Sequence, residues 1–215
     1  MHFPSLEQII YTMPAFVLAI SFHEFAHAWV ADKLGDSTAR RHGRLTLDPR
    51  SHFDLFGFFL FIFAGFGWAK GVPFNSANFE GNKRVATIAV SLAGVIANFI
   101  IAFLALLLIR CLGYVGIFSS SEDIGVTVLT YIAVYNVMFM VFNLLPIPPL
   151  DGSKVLAALV PWEFEERLYS LDRYGFFILI ILIYTGWTDT VLVPLMSKSL
   201  MGITNMVDYI FAGGL

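Results

Sequence analysis

Four long runs of apolar residues constrain this chain more than any other feature of its sequence. A helix that crosses the hydrocarbon core of a bilayer needs about 20 predominantly apolar residues. The runs that reach or approach this length cover residues 6–34, 85–109, 124–145 and 174–193. The sequence therefore predicts an α-helical polytopic membrane protein with about four transmembrane helices.

The composition agrees with this class and excludes a soluble enzyme. Hydrophobic residues make up 58% of the 215-residue chain and charged residues 13%, whereas soluble domains average about 45–50% and about 25%. The length suits a single membrane-embedded domain, residues 1–215, and the net charge of −3 indicates no nucleic-acid partner. Cys111 is the only cysteine, so an internal disulfide is impossible.

Two further apolar stretches do not have the character of spans. Residues 53–68 are short and contain three glycines, which is typical of a re-entrant or interfacial segment. The tail, residues 195–211, is apolar but interrupted by scattered polar residues. We expect the tail to lie along the membrane interface.

The basic residues define an orientation in the membrane. If the N-terminus lies outside the cell, the cytoplasmic connections contain 11 of the 13 Lys and Arg residues, and only Arg110 and Lys198 lie outside. The positive-inside rule favours this arrangement. We therefore predict a multi-pass protein of the cell membrane whose first helix ends, near Lys33, on the cytoplasmic side.

The first helix contains the motif His-Glu-x-x-His at residues 23–27. Because His23 and His27 are four residues apart, both imidazoles lie on one helix face and can reach one metal ion. Glu24 lies beside them and can accept a proton from an attacking water, whose pKa zinc lowers to about 7. The alternative is a polar cluster held by water or a partner helix. We disfavour it because a charged group in a spanning helix costs about 2.5–3.5 kcal/mol.

A catalytic zinc ion usually has three protein ligands and one open position. The candidate third ligand is Asp151, which follows the third predicted helix and lies, in the predicted orientation, at the same membrane depth as His27. Spacing alone leaves two compatible roles open for Asp151, a metal ligand or the N-cap of a helix that begins near Gly152. The remaining histidines are His2, at the far end of the first helix, and His42 and His52, in a basic loop.

The His-Glu-x-x-His motif and the segment NLLPIPPLDG at residues 143–152 resemble the motifs of the site-2 protease family, the intramembrane zinc metalloproteases. Residues 35–49 and 67–75 resemble the short prokaryotic branch of that family, without PDZ or CBS domains. The similarity covers about residues 19–153, and the two motifs together are highly specific.

The resemblance implies an intramembrane zinc endopeptidase that hydrolyses peptide bonds of transmembrane proteins. It implies that His23, His27 and Asp151 bind one Zn²⁺ ion per chain and that Glu24 is the catalytic base. Asn143 would lie near the scissile segment and hydrogen-bond the substrate backbone. The implied partners are a transmembrane protein substrate and the lipid bilayer, and the active site would lie toward the cytoplasmic side.

A membrane metal-binding or transport protein is the alternative, since it could use the same ligands without hydrolysis. Transporters often carry paired repeats or broken helices in both halves, and neither is evident in this sequence. Glu24 has no evident use in transport, so the protease interpretation is favoured.

Two asparagines in the predicted helices have a plainer interpretation. Gly94 and Asn98 stand where the family often carries Gly-Pro-x-x-Asn, but Val95 replaces the proline. We therefore expect Asn98 and Asn136 to form interhelical hydrogen bonds, worth about 0.6 kcal/mol each on average.

A helical substrate must unwind before water can attack, because its carbonyls are hydrogen-bonded within the helix. Residues 53–68 and the extended-looking residues 72–79 could offer an edge that pairs with the unwound strand. An equally open interpretation makes residues 53–68 a membrane anchor without substrate contact.

Overall fold

The computed structural model describes residues 6–64, 69–118, 120–121 and 123–213, and these residues form helices and no strand. The predicted α-helical class is therefore confirmed. A short 3₁₀ turn covers Ser76–Asn78, and a π-helical turn, Thr188–Leu192, precedes the last helix. The helices are α1 (Leu6–Lys33), α2 (Thr38–Arg41), α3 (Pro49–His52), α4 (Leu55–Ala64), α5 (Lys83–Tyr114), α6 (Ile124–Leu144), α7 (Asp151–Leu159), α8 (Trp162–Tyr184) and α9 (Val193–Gly213).

Four stretches of helix among the described residues are long and apolar enough to cross a membrane. They are Ile9–Lys33, Lys83–Tyr114, Ile124–Leu144 and Asp189–Gly213. The first three lie in α1, α5 and α6 and match three of the predicted spans.

Small residues bring α1, α5 and α6 close together. Ala19, Ala102 and Ala133 are completely buried, and small side chains let helix backbones approach closely where lipid provides no hydrophobic drive. Larger side chains fill the remaining space; Phe16 of α1, for example, meets Phe139 of α6 edge to face with ring centroids 5.8 Å apart. This three-helix packing forms the frame of the molecule.

The position of the fourth predicted span is wrong. The apolar run at residues 174–193 divides between α8, which ends at Tyr184, and the turn that leads into α9. Gly186 lies in this turn with φ +75°, a conformation that glycine adopts readily. Pro194 is the second residue of α9, directly after the π-helical turn Thr188–Leu192, and it lies within the helical stretch Asp189–Gly213.

The tail, which we expect along the membrane interface, is a packed helix that lies within a candidate span. Ile203 and Val207 of α9 are buried, and Ile203 packs in one apolar cluster with Val95 of α5 and Val137 of α6. Near the far end of α5, an Arg110 Nη2 atom lies 2.6 Å from an Asp208 carboxylate oxygen. α9 therefore runs alongside α5 and supplies the fourth candidate span.

The short apolar stretch at residues 53–68 contains α4, and residues 65–68 lie outside the described part of the chain. The backbone N–H of Lys70 donates to the carbonyl of His52 over 3.0 Å. The two ends of the stretch therefore lie side by side, as a segment that returns to its starting point requires. Its entry into the membrane stays a prediction.

Candidate metal centre

One face of α1 carries three buried ionisable side chains toward α5 and α6. His23, Glu24 and His27 are 4%, 8% and 7% exposed. The i, i+4 spacing of the histidines brings their Nε2 atoms to 2.9 Å from each other. Two nitrogen donors therefore point at one position inside the helical bundle.

Asp151 completes the cluster from another element. It is the first residue of α7, directly after the proline-rich turn that ends α6. Its Oδ2 atom lies 3.1 Å from Nε2 of His23 and 3.0 Å from Nε2 of His27. The N-cap of α7 is Leu150, and the carboxylate of Asp151 accepts no backbone N–H in the described chain, so the helix-cap alternative for Asp151 is wrong.

These three donor atoms fit a metal ion. They are 2.9–3.1 Å apart, close to the edge of about 3.3 Å that bonds of about 2.0–2.1 Å give in a tetrahedral zinc site. The Asp151 Oδ2 atom is buried without a hydrogen-bond donor, and a buried carboxylate oxygen needs a donor or a cation. His23, His27 and Asp151 could therefore hold one metal ion, and among the described residues they are the group whose donor atoms lie close enough together to do so.

The outer nitrogen of each histidine is fixed by an acceptor on α5. The Nδ1 atom of His23 lies 2.7 Å from Oδ1 of Asn98, and that of His27 lies 2.7 Å from the carbonyl of Val90. With the proton on Nδ1, each ring donates to its acceptor and turns the Nε2 lone pair toward the centre of the cluster. These contacts select the tautomer that a metal requires.

The contact between Asn98 and His23 was missed at the sequence level. The side-chain amide of Asn98 donates to Ala19 O over 3.0 Å and to Asn136 Oδ1 over 2.8 Å. The predicted interhelical hydrogen bonding of Asn98 and Asn136 is confirmed, and the two asparagines bond to each other. However, Asn98 also positions a histidine of the cluster, and only the motif around Gly94 offered a signal for this.

Gly94 permits the rings to approach α5. A Cβ atom at this position would lie 2.5 Å from Cε1 of His23 and 2.5 Å from Nε2 of His27. These separations are far below van der Waals contact, so any side chain here would push the rings away. A glycine in the middle of a 32-residue helix costs about 1 kcal/mol relative to alanine, which was the available signal that it has a special role.

Glu24 lies against the segment of residues 69–75. The backbone N–H of Val72 donates to Oε2 of Glu24 over 2.7 Å. Arg44 holds the same segment by donating to the carbonyls of Lys70 and, over 3.3 Å, Gly71. Non-helical backbone is therefore held directly beside the acidic residue of the motif.

Lys154 is a further charged residue of the centre that the sequence did not single out. Its Nζ atom donates to Oδ1 of Asp151 over 3.1 Å and lies 5.6 Å from the ring centroid of Phe74. Burial disfavours the charged form, but the negative charges of Asp151 and Glu24 outweigh burial and raise the pKa of Lys154. Lys154 thus occupies one oxygen of Asp151 and leaves the other facing the histidines. The Asp-x-x-Lys spacing on a helix was the signal available.

Asn143 lines a cavity together with His23 and Glu24. Its side-chain amide donates to Phe139 O, four residues earlier in α6, over 3.0 Å. The other histidines stay apart from the cluster: His42 is exposed beside Thr38, His52 is buried beside Thr46, and His2 lies outside the described residues.

Comparison with known proteins gives one family. The chain matches Peptidase family M50 over residues 11–121 and 110–183. A Bacillus subtilis (strain 168) protein, YwhC, is 35% identical over 206 residues, which are 94% of this chain and 92% of that protein. Rip2 of Mycolicibacterium smegmatis is 28% identical over 181 residues, covering 82% of this chain and 67% of Rip2.

Rip2 of Mycobacterium tuberculosis H37Rv is 29% identical over 188 residues, which are 83% of this chain and 70% of that protein. All three relatives bear the name "putative zinc metalloprotease". No solved structure matches the chain significantly.

Proposed function

The chain belongs to Peptidase family M50, the site-2 protease family, and is a zinc metalloprotease; from this premise we propose that it hydrolyses peptide bonds of transmembrane proteins within or at the edge of the bilayer. The observation that carries the proposal is the cluster of His23, His27 and Asp151 beside Glu24, buried among helices that can span a membrane.

The depth of the cluster supports cleavage inside the membrane. Lys33, where the candidate span Ile9–Lys33 ends, lies six helical steps after His27, and at 1.5 Å per step this is about 9 Å. A peptide bond that reaches the cluster therefore lies inside the span, on the membrane side of its end at Lys33. Segments of other membrane proteins occupy the same depth, which favours them as substrates over soluble proteins.

His23, His27 and Asp151 would hold one zinc ion per chain. When bound there, zinc supplies a Lewis acid that lowers the pKa of a water molecule to about 7. Asn98 and the Val90 carbonyl keep the imidazole rings in the required tautomer, and Lys154 keeps one oxygen of Asp151 occupied. Such outer contacts are worth about 10- to 100-fold in metal affinity.

Glu24 is proposed as the general base. Its carboxylate accepts the proton of the attacking water and then delivers it to the leaving amine, which balances the hydrolysis. The N–H of Val72 donates to Oε2 of Glu24 and orients the carboxylate. Asn143, on the wall of the same cavity, would hydrogen-bond the backbone of the substrate.

The segment of residues 69–75 is the proposed contact for unwound substrate. A transmembrane helix offers no free carbonyl until it unwinds, and an unwound strand can pair with extended backbone. Val72 lies next to Glu24 and Ala69 lines the cavity, so non-helical backbone adjoins the reacting groups.

The proposed orientation has the N-terminus outside the cell and the active site toward the cytoplasm. With α9 as the fourth span, Lys198 lies within a helix. Arg110 is then the remaining basic residue assigned to the outer side, against 11 of 13 in the cytoplasmic connections. The charge distribution still satisfies the positive-inside rule.

Reconstitution tests the proposed activity. The purified zinc-loaded protein in liposomes should cleave a synthetic single-pass helix within the transmembrane segment, as intact-mass spectrometry would show. Glu24→Gln should lower the rate by about 10²–10⁴-fold, because the amide cannot accept the proton. Cuts found solely in soluble flanking sequence, or a Glu24→Gln variant as fast as the wild type, would rule out the proposal.

A further inference from the structure

A cavity of about 140 Å³ adjoins the metal centre between α1 and α6. One side of it is polar and consists of His23, Glu24 and Asn143. Apolar side chains form the rest of the wall and come from α1, α6, the turn before α7 and the π turn before α9. They are Ile20, Met138, Phe139, Phe142, Leu150 and Leu192, with Ala69 at the edge.

The size and lining of this cavity match one apolar side chain. An engineered apolar cavity of about 150 Å³ in another protein stays dry and binds benzene, so a space of this size holds a phenyl ring or a branched aliphatic group. Well-packed interiors contain few voids larger than a water molecule. A larger apolar void beside reacting groups therefore points to an occupant that arrives with the substrate.

We propose that this cavity receives one apolar side chain, of about the size of Phe or Leu, from a residue that flanks the scissile bond, and that this side chain sets where the substrate is cut. The inference rests on the proposed protease function and specifies its substrate class. His23 and Glu24 form part of the cavity wall, so a side chain seated in it brings the adjacent peptide bond to the reacting groups.

The expected preference for Phe or Leu next to the cut follows from the burial of that side chain in the cavity. Removing methylene groups from a side chain that fills an apolar pocket lowers kcat/KM by about 10- to 200-fold. A residue as small as Ala leaves most of the cavity unfilled, whereas Trp exceeds its volume. Cleavage next to Phe or Leu should therefore exceed cleavage next to Ala or Trp.

Met138 is the position from which the cavity can be altered. It is half-buried on α6 and lines the cavity, and methionine sites tolerate substitution because the side chain is flexible. Met138→Trp should fill the cavity, and Met138→Ala should enlarge it. Met201→Trp is the matched control, because Met201 is 61% exposed on α9 and away from the cavity.

The probe is a synthetic single-pass helix whose central stretch contains only Ala and Gly, apart from one Phe. The Phe is moved by one residue at a time, and intact-mass spectrometry maps the cuts made by the reconstituted, zinc-loaded protein. The cavity account predicts that the cut moves with the Phe by one residue at each step. Met201→Trp should give the same pattern.

Met138→Ala should extend the preference to Trp, and Met138→Trp should abolish the coupling of the cut to the Phe. Zinc content serves as the measure of folding for both variants. Cuts that stay at one depth wherever the Phe stands would overturn the cavity proposal and leave the protease function intact. Absence of cleavage of every helix by the wild type would overturn both.

Discussion

Gly94 leaves no room for a side chain between α5 and the two histidine rings of the metal centre. A Cβ atom on residue 94 would lie 2.5 Å from Cε1 of His23 and 2.5 Å from Nε2 of His27, so the rings already fill the space that it would need. Their positions are fixed by Asn98 and the Val90 carbonyl, which lie one helical turn after and one turn before Gly94 on the same face of α5. The rings therefore cannot move aside without losing the hydrogen bonds that turn Nε2 inward.

Gly94→Ala should displace the rings and lower zinc content and cleavage together, by about 10- to 100-fold in metal affinity. Zinc affinity, measured by competition with a chelator, tests this. Gly202→Ala is the matched control because no atom lies within 4 Å of a Cβ built on Gly202 in α9. A Gly94→Ala protein with wild-type zinc affinity would contradict the role given to this glycine.

At the scale of elements, the segment that adjoins Glu24 is held by a buried carboxylate. Asp36, just after α1, accepts hydrogen bonds from Asn75 N over 2.6 Å and from Asn78 Nδ2 over 2.8 Å, and it also accepts from Thr38. These bonds join the end of α1 to the turn at Ser76–Asn78. The backbone of residues 69–75 is thereby held against the catalytic helix from one end.

The stability that Asp36 provides should depend on pH. Burial alone would raise the pKa of Asp36, but hydrogen bonds from Asn78, Thr38 and Asn75 outweigh burial and lower it. The unfolded chain then binds a proton more readily, so this stabilisation is present above the ordinary pKa of about 3.9 and is lost as pH falls through the folded value.

Asp36→Asn should therefore lower the unfolding temperature at pH 7, through a loss of about 1.5–3 kcal/mol for hydrogen bonds to a charged group. The difference from the wild type should shrink toward pH 3. Thermal unfolding in detergent between pH 7 and pH 3 measures this, with Asp189→Asn, at an exposed position, as the control. A difference independent of pH would contradict the account.

The helices could be predicted from sequence where one long apolar run coincides with one helix. This holds for α1, α5 and α6. It fails after α7, because the apolar run at residues 174–193 belongs partly to α8, whose first half is charged, and partly to α9. Hydropathy cannot show that Gly186 turns the chain or that Pro194 lies within a helical stretch rather than ends one.

For the site too, some residues could be predicted from the sequence, whereas other contacts depend on how the helices pack. His23, Glu24 and His27 are close in sequence and could be predicted from helix geometry. Asp151 was found through its motif, but its contacts with both histidines depend on where the fold places α7 relative to α1. For Asn98 and Lys154 the sequence offered only weak signals, the motif around Gly94 and the Asp-x-x-Lys spacing. The contact of Asn98 joins separate helices and that of Lys154 depends on a rotamer, so these patterns do not specify the contacts.

At the scale of the whole molecule, the charge distribution predicts which ends of the helices face the cytoplasm. The test uses two single-cysteine variants in a Cys111→Ala background. Ser37→Cys places the cysteine in the chain after α1, and Tyr114→Cys places it at the last residue of α5. A membrane-impermeant maleimide should label Tyr114→Cys in intact cells, and Ser37→Cys only after permeabilisation. The reverse pattern would invert the proposed orientation.

The metal content of three proteins tests the central claim most directly, namely that His23, His27 and Asp151 hold zinc while Glu24 moves protons. Zinc per chain, measured by mass spectrometry after a mild chelator wash, should be close to one for the wild type. It should also be close to one for inactive Glu24→Gln, because all three ligands remain. Asp151→Ala should fall well below one. Full zinc in Asp151→Ala, or loss of zinc in Glu24→Gln, would contradict the account.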